Sequence, residues 1–380
     1  MTEFLQLHLL TSYPPSNPNR DDLHRPKTAI IGGRVRQRIS SQAIKRAIRV
    51  SDAFVTALAG HMGERTQRLG DEILEHLLAD GILDDKARDI ARGVVEVFGK
   101  LEESERDSER EGDGDKKGSR DKKGRTKEKP DSVRIRQLAF ISPEEKRLAF
   151  KLADEVAAGE ELPKDKDLVR KLLRAADGAV DIAMFGRMLA NNQDYNRDAA
   201  VQVAHAFTTN AVEIEDDYYT AVDDLKKPAD KSGAGFVGEA GFGSGIYYLY
   251  VCVNHDLLIK NLAGDRALSS RGLDALVRAV SSSSPSGKRN SFANHVRAEF
   301  ILAEWGDQQP RSLAGAFTTP VGEGDQLEIS ITRLLDKRKA FAKIYGQDWR
   351  EERILHVGAP DSATLSQVAA FVAASLGKSR

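Results

Sequence analysis

Eight histidines, at positions 8, 24, 61, 76, 205, 255, 295 and 356, are the first place to look for chemistry in this chain. They are scattered: none pair at helical metal-ligand spacing, and no H-E-x-x-H motif is present. The single cysteine, Cys252, has no second thiol with which to form a disulfide or a zinc site. No G-x-S-x-G elbow offers a nucleophile. Gly241, Gly243 and Gly245 precede a strand instead of following one, and no Lys-Ser/Thr comes after them. A flexible hairpin tip accounts for them better than a phosphate loop does. Asp223 and Asp224 are adjacent, so on a strand they point to opposite sides, which suits a solvated or loop-capping role better than a cation site. One histidine has a suggestive position. His8 lies among alternating leucines near a basic loop, either as a polar sheet-face residue contacting RNA or a neighbouring loop, or as the general base of a metal-independent endoribonuclease. No metal and no cofactor are expected.

A cluster of basic residues is more informative. The 57 Lys+Arg nearly balance the 58 Asp+Glu, yet Arg20 to Arg49 holds nine basic residues against Asp21 and Asp22 alone. These are Arg20, Arg25, Lys27, Arg34, Arg36, Arg38, Lys45, Arg46 and Arg49. Arg34, Arg36 and Arg38 alternate, so in an extended segment all three project to one side. Ser41, Lys45 and Arg49 are spaced by four and form a row on a helix. The helix N-terminus at Ser40 and Ser41 offers free N–H groups to a phosphate. An ordinary solvated face would interleave acids; here there are none between Leu23 and Val50. A local field, not the net charge of −1, is what a phosphate backbone meets. An acidic protein partner is the other reading of such a patch. Pro285 to Asn290, with Lys288 and Arg289, forms a second and weaker basic loop, whereas Tyr247, Tyr248 and Tyr250 read as core.

The elements that must position these residues follow from periodicity. Leu5, Leu7 and Leu9 alternate with Gln6 and His8 as a half-buried strand. Ser40 or Ser41 caps a helix with an apolar stripe of Ile44, Ala47 and Ile48. Residues 55–190 read as mainly helical, and Ser142-Pro143-Glu144-Glu145 is a capping box with proline at the first helical position. Glu102 to Ser132 contains no aliphatic, aromatic or alanine residue, so it has nothing to bury and reads as a disordered insertion. After residue 245, strands and helices alternate, and with the first strand they resemble a split βαβ, ferredoxin-like domain interrupted by an insertion. A length of 380 residues allows two or three folded units. No stretch reaches the ~18 apolar residues of a membrane span and the N-terminus carries no basic leader, so a cytoplasmic protein with no membrane partner is expected.

Several blocks then become specific. Asn19-Arg20-Asp21-Asp22, Ile39-Ser40-Ser41-Gln42 with Lys45-Arg46-Ala47, Val180-Asp181-Ile182-Ala183, Gly186-Arg187-Met188 and Thr220-Ala221-Val222-Asp223-Asp224-Leu225 occur in one order. In this they resemble the CasC family, the backbone subunit of the type I-E CRISPR surveillance complex Cascade. The resemblance implies an α+β hand: an RRM/ferredoxin-like palm, a large helical fingers insertion and a β-hairpin thumb. On this chain the palm is 1–55, 190–212 and 246–380, the fingers 56–189 with a charged disordered loop at 101–132, and the thumb 213–245. It further implies a non-catalytic, RNA-binding subunit whose copies assemble head to tail along the spacer of a CRISPR guide RNA (crRNA), beside other Cascade subunits, and present it to target DNA. Arg20, Lys27, Ser40, Gln42, Lys45 and Arg49 are then expected on the guide backbone. Met188 is expected where a guide base is displaced, and Phe236 or Val237 at the thumb tip. By spacing alone Met188, four residues after Met184, reads as helix-end core.

Overall fold

The computed structural model describes residues 2–102, 132–189, 191–221 and 236–378. Most of the charged stretch at 101–132 therefore lies outside the described residues, as do Asp223, Asp224 and the side chains of Phe236 and Val237. The chain divides into two compact units: 1–59 with 200–259 and 266–380, and 60–199 with 260–265.

The first unit is built on an antiparallel sheet. Its strands are β1 (Phe4–Ser16), β2 (Thr28–Ile31) and β3 (Arg34–Ile39), and the helices α1 (Ser41–Arg49) and α2 (Asp52–Ala57) follow directly. The chain then builds the second unit from β4 (Glu64–Thr66), α3 (Leu69–Ala79), α4 (Asp84–Val95), β5 (Ala139–Ile141), α5 (Pro143–Ala157), α6 (Asp165–Leu172) and α7 (Val180–Phe185). It returns through β6 (Val201–Val203), β7 (Ala206–Thr208), β8 (Glu215–Ala221) and β9 (Phe236–Asn254), then α8 (His255–Asn261), α9 (Arg266–Ser282) and α10 (Arg289–Phe292). Last come β10 (Phe300–Gly306), α11 (Gln326–Tyr345), β11 (Glu351–His356) and α12 (Leu365–Ser375). The sheet order is β11-β10-β1-β9-β7-β3-β2, with β6 and β8 also paired to β9.

Leu5, Leu7 and Leu9 are buried on one face of β1, where Ile44 of α1 and Val280 of α9 close over Tyr247 and Leu249. The opposite face is also covered. Leu10, Tyr248, Phe300 and Leu302 pack against Leu313, Phe317, Ile331 and Leu334. β1 is thus buried on both sides rather than half-buried, because α11 and the turn before it supply a layer that strand periodicity could not announce. Gly241, Gly243 and Gly245 lie inside β9 and form no hairpin tip. A Cβ at Gly243 would come 2.6 Å from the side-chain oxygen of Gln37, so its bareness lets a neighbouring strand's side chain in. At the β2–β3 turn Gly32 (φ +59°) and Gly33 (φ +75°) take the left-handed backbone a tight hairpin needs.

The second unit has its own core, including Ile73, Leu77, Ile90, Val94, Leu152 and Leu172. Ser142 and Glu145 form the expected reciprocal cap of α5. Leu101 bridges Ile135, and Glu102 N–H donates to Arg134 C=O (2.9 Å), so both ends of the undescribed charged stretch are pinned side by side.

Candidate nucleic-acid interface

The loop from β1 to β2 is held by its own side chains. Asn17 donates to Gly241 C=O (2.9 Å), and Asn19 accepts from Ser40 N–H (2.8 Å). Asp21 accepts from the N–H groups of Leu23 (3.0 Å) and Arg25 (2.9 Å), so one of the two acids in the basic run is occupied with loop backbone. Arg20 projects from this frame, exposed. Ser40 is the cap of α1: its hydroxyl accepts from Ala43 N–H (3.3 Å) and it is buried, so it shapes the helix start. The first turn of α1 has no acid, and Gln42 and Arg46 are exposed while Ile44, Ala47 and Ile48 are buried.

A groove of about 860 Å³ opens beside this loop. One wall is α1 and the start of α2, with Ala43, Arg46, Ala47, Val50 and Asp52; the other is the segment 282–297. Gly287 makes the junction: a Cβ there would stand 2.4 Å from Pro18 O. Arg20, Arg46, Arg289 and Arg297 line the groove together with His24 and His295, against the carboxylates Asp21 and Asp52. Arg289 donates to Ser284 C=O (2.5 Å) and sits half-buried, whereas Arg297 and His295 are exposed. Ser283 and Ser286 place short hydroxyls on the same walls, whereas the Ser51 hydroxyl is taken up by Ile48 C=O (2.8 Å). An open, basic, serine-lined channel can neutralise phosphates and hydrogen-bond them without reading bases.

The remaining basic residues are distributed differently. Arg36 is fully buried and donates to the carbonyls of Thr208 (2.8 Å), Thr209 (2.7 Å) and Phe317 (2.9 Å). It cannot meet a phosphate, and the expectation that Arg34, Arg36 and Arg38 share one exposed row fails because the second layer covers its middle. Arg34 is exposed at the hairpin, and Arg38 donates to Thr28 C=O (3.0 Å) with its Nη1 3.0 Å from His205 Nδ1. Burial, then the charges of Arg38 and nearby Lys27, hold His205 below its ordinary pKa. Lys45 and Arg49 are half-buried on the flank of α1 beside the groove-facing Arg46. Lys288 is half-buried at the start of the short α10.

His8 is not on an exposed face. It is fully buried, its Nδ1 2.9 Å from Tyr248 Oη and its Nε2 3.4 Å from Glu304, and it stacks on Tyr250. Burial lowers its pKa, partly opposed by Glu304. Glu304 also accepts from Arg311 (2.7 Å) and Arg338 (2.6 Å), so His8 belongs to a structural charge network closed to RNA.

In the helical unit Met188 is 83% exposed, so it is no part of the helix-end core that its spacing suggests. It follows α7 and stands between two buried neighbours. Arg187 N–H donates to Arg197 C=O (3.0 Å) and Arg197 N–H returns the bond (2.9 Å), while Leu189 N–H donates to Asn196 (2.6 Å). The buried Arg187 guanidinium pairs with Glu145 (2.5 Å) and that of Arg197 with Asp177 (2.7 Å). Desolvation alone would raise the Asp177 pKa, but Arg197 outweighs it and holds the carboxyl down. Met188 is therefore held outward on a rigid base.

The model of the CT1975-like protein family matches residues 5–377. The chain belongs to that family. Solved structures of similar shape agree with this. One is a chain of a "CRISPR RNA-guided surveillance complex, pre-nicking", 30% identical, with a TM-score of 0.78 over 98% of this chain and 100% of that one. Another, from a "CRISPR RNA-guided surveillance complex", is 24% identical with a TM-score of 0.68 over 99% and 100%, and speaks to the fold alone. A search of curated proteins found no match. In this CT1975-like chain, sequence reasoning missed Arg297, His295 and His24 as groove residues. Arg297 and His295 stand alone in the sequence, and only the turn at Gly287 brings them opposite α1.

Proposed function

We propose that this CT1975-like protein is a non-catalytic RNA-binding subunit of a Cascade-type CRISPR surveillance complex, and within that class the CasC-type backbone subunit of a type I-E system. The observation that carries the reading is the basic groove, assembled from two distant segments in a chain 30% identical to one from an RNA-guided surveillance complex. In this reading the guide RNA backbone runs along Arg20, Arg46, Arg289 and Arg297, with Lys27, Gln42, Lys45 and Arg49 beside it, and with Arg34, Arg38 and Lys288 at its margins. Strand order supports an RRM/ferredoxin-like palm: β10-β1-β9-β7, with α1 after the first strand and α9 after the third, follows a βαββαβ path. The helical unit is then the fingers, and the β8–β9 ribbon the thumb, carrying Phe236 and Val237 toward its tip. Met188 acts as the apolar wedge at a displaced base, a task an unbranched and adaptable side chain suits. Copies assemble head to tail on one guide in the cytoplasm, with other Cascade subunits, and leave the bases between wedges free to pair with target DNA. The RNA-cleaving alternative has nothing in its favour, since its base, His8, is buried.

The decisive experiment is expression with a CRISPR array and analysis of the nucleic acid that co-purifies. A short RNA of uniform length, left intact on incubation, is the expected result. Purification free of RNA, or cleavage of added RNA by the protein alone, would overturn the proposal.

A further inference from the structure

Two helices of the second unit bring three metal-ligand groups to one point. His76 and Asp80 are four residues apart at the C-terminal end of α3, where Asp80 is the residue that ends the helix, so they share a face. Asp154 comes from α5. His76 Nε2 lies 2.7 Å from an Asp154 oxygen and 3.6 Å from an Asp80 oxygen, and the three donor atoms all fall within 4.8 Å of one another. One imidazole nitrogen thus faces two carboxylates, and a single N–H can serve only one of them. A cation between the three would serve all of them.

The geometry is close to what such an ion requires. With ligand bonds of roughly 2.0–2.2 Å, neighbouring donors of a tetrahedral ion stand about 3.4 Å apart. The His76–Asp80 separation already fits, and Asp154 needs to draw back by about 0.7 Å, which an exposed side chain can do by rotation. The imidazole ring is steadied by an edge contact with Phe150 (centroids 5.4 Å, 65°). The partial negative charge at the helix C-terminus favours a cation there. The exposure of both aspartates leaves the outer side open to water as a fourth ligand.

We propose that His76, Asp80 and Asp154 form a binding site for a divalent transition-metal ion of the zinc class, which cross-links α3 to α5. A nitrogen donor beside two carboxylate oxygens selects Zn²⁺-like ions over Mg²⁺, which prefers an all-oxygen shell with several retained waters. The sequence hid this site because the ligands are one histidine and two common acids, with Asp154 78 residues from His76.

The test is titration of the EDTA-stripped full chain with ZnCl₂ by calorimetry, alongside melting curves with and without excess Zn²⁺. One saturable site per chain is expected, together with a higher melting temperature in Zn²⁺. His76→Ala and Asp154→Asn should each weaken binding at least tenfold and remove the thermal shift, while melting near the wild-type temperature in EDTA. Asp80→Asn, at an exposed position, serves if either of those fails to fold. Mg²⁺ at the same concentration should not displace the zinc. Co²⁺ should give visible bands of a four-coordinate site that His76→Ala abolishes. Absence of saturable zinc binding, or binding that survives substitution of two of the three ligands, overturns the proposal.

Discussion

The groove predicts a sorting of arginines by salt dependence. Arg20, Arg46 and Arg297 are exposed on its walls. If each neutralises one phosphate of a single-stranded RNA, each contributes about −0.7 to the slope of log affinity against log salt, or about −2.1 together. Between 50 and 200 mM salt that share alone amounts to a roughly 18-fold fall in affinity. Replacing all three by glutamine should flatten the slope by about 2 and remove that 18-fold sensitivity, equally for RNAs of unrelated sequence, because phosphate contacts carry no base information. Fluorescence anisotropy at several salt concentrations reads both quantities. Arg36→Gln is the internal control: its guanidinium is buried on carbonyls, so the slope should stay at the wild-type value in whatever fraction remains folded. A slope unchanged in the triple variant, or flattened as much by Arg36→Gln, would refute the placement of RNA in this groove.

Other outcomes follow from the same contacts. Arg36→Ala removes three hydrogen bonds to interior carbonyls, of which Thr209 C=O keeps Val321 N–H (2.9 Å), and should cost at least about 2 kcal/mol of stability, seen as a clear fall in the urea midpoint. Replacing residues 103–131 by a short Gly-Ser linker should leave the melting temperature unchanged or slightly raised, since the ends are already pinned at Glu102 and Arg134 and a shorter loop costs about 1–2 kcal/mol less to close; a marked fall would show that the segment packs. Burial holds His255 at about 4, with Arg266 adding to the effect, below its unfolded value of 6.5. The unfolded chain therefore binds the extra proton between those values, and stability should be complete above pH 6.5 and decline by about 3 kcal/mol toward pH 4, a loss that His255→Gln reduces. Met188→Ser should spare both stability and salt slope, while blurring the periodic base reactivity of the bound RNA under chemical probing. Wild-type RNA without any periodicity would contradict the wedge.

Legibility in the sequence tracked locality. The cap and stripe of α1, the capping box of α5 and the strands of the C-terminal third are set by neighbours within a few residues, and each was readable. The periodicity of β1 shows only one of its two buried faces, because the second cover comes from α11, more than 300 residues away. The glycines of β9 suggest a tip in the sequence because glycine marks either a turn or a close approach, and only the facing Gln37 distinguishes the two. Half of the groove was legible and half was not, for the same reason. Arg20 and Arg46 announce themselves by clustering, whereas Arg297 depends on where a loop folds back.

Charge counted along a sequence also overstates the field that a partner meets. Of the basic residues between 20 and 49, Arg36 satisfies interior carbonyls and Arg25 is paired with Asp216 at 3.0 Å. What remains acquires its strength from groups the count never included, the arginines at 289 and 297 across the groove. Met188 turns the same reasoning around. The bridge between two buried arginines, each matched to a carboxylate, holds the backbone before Met188 and Asn196 holds it after, around an exposed methionine that gains almost nothing by burial, where a covered one would contribute about 1.5–3 kcal/mol. Stability gives no reason for an apolar side chain to be displayed on so rigid a base. An apolar surface that must meet something else does.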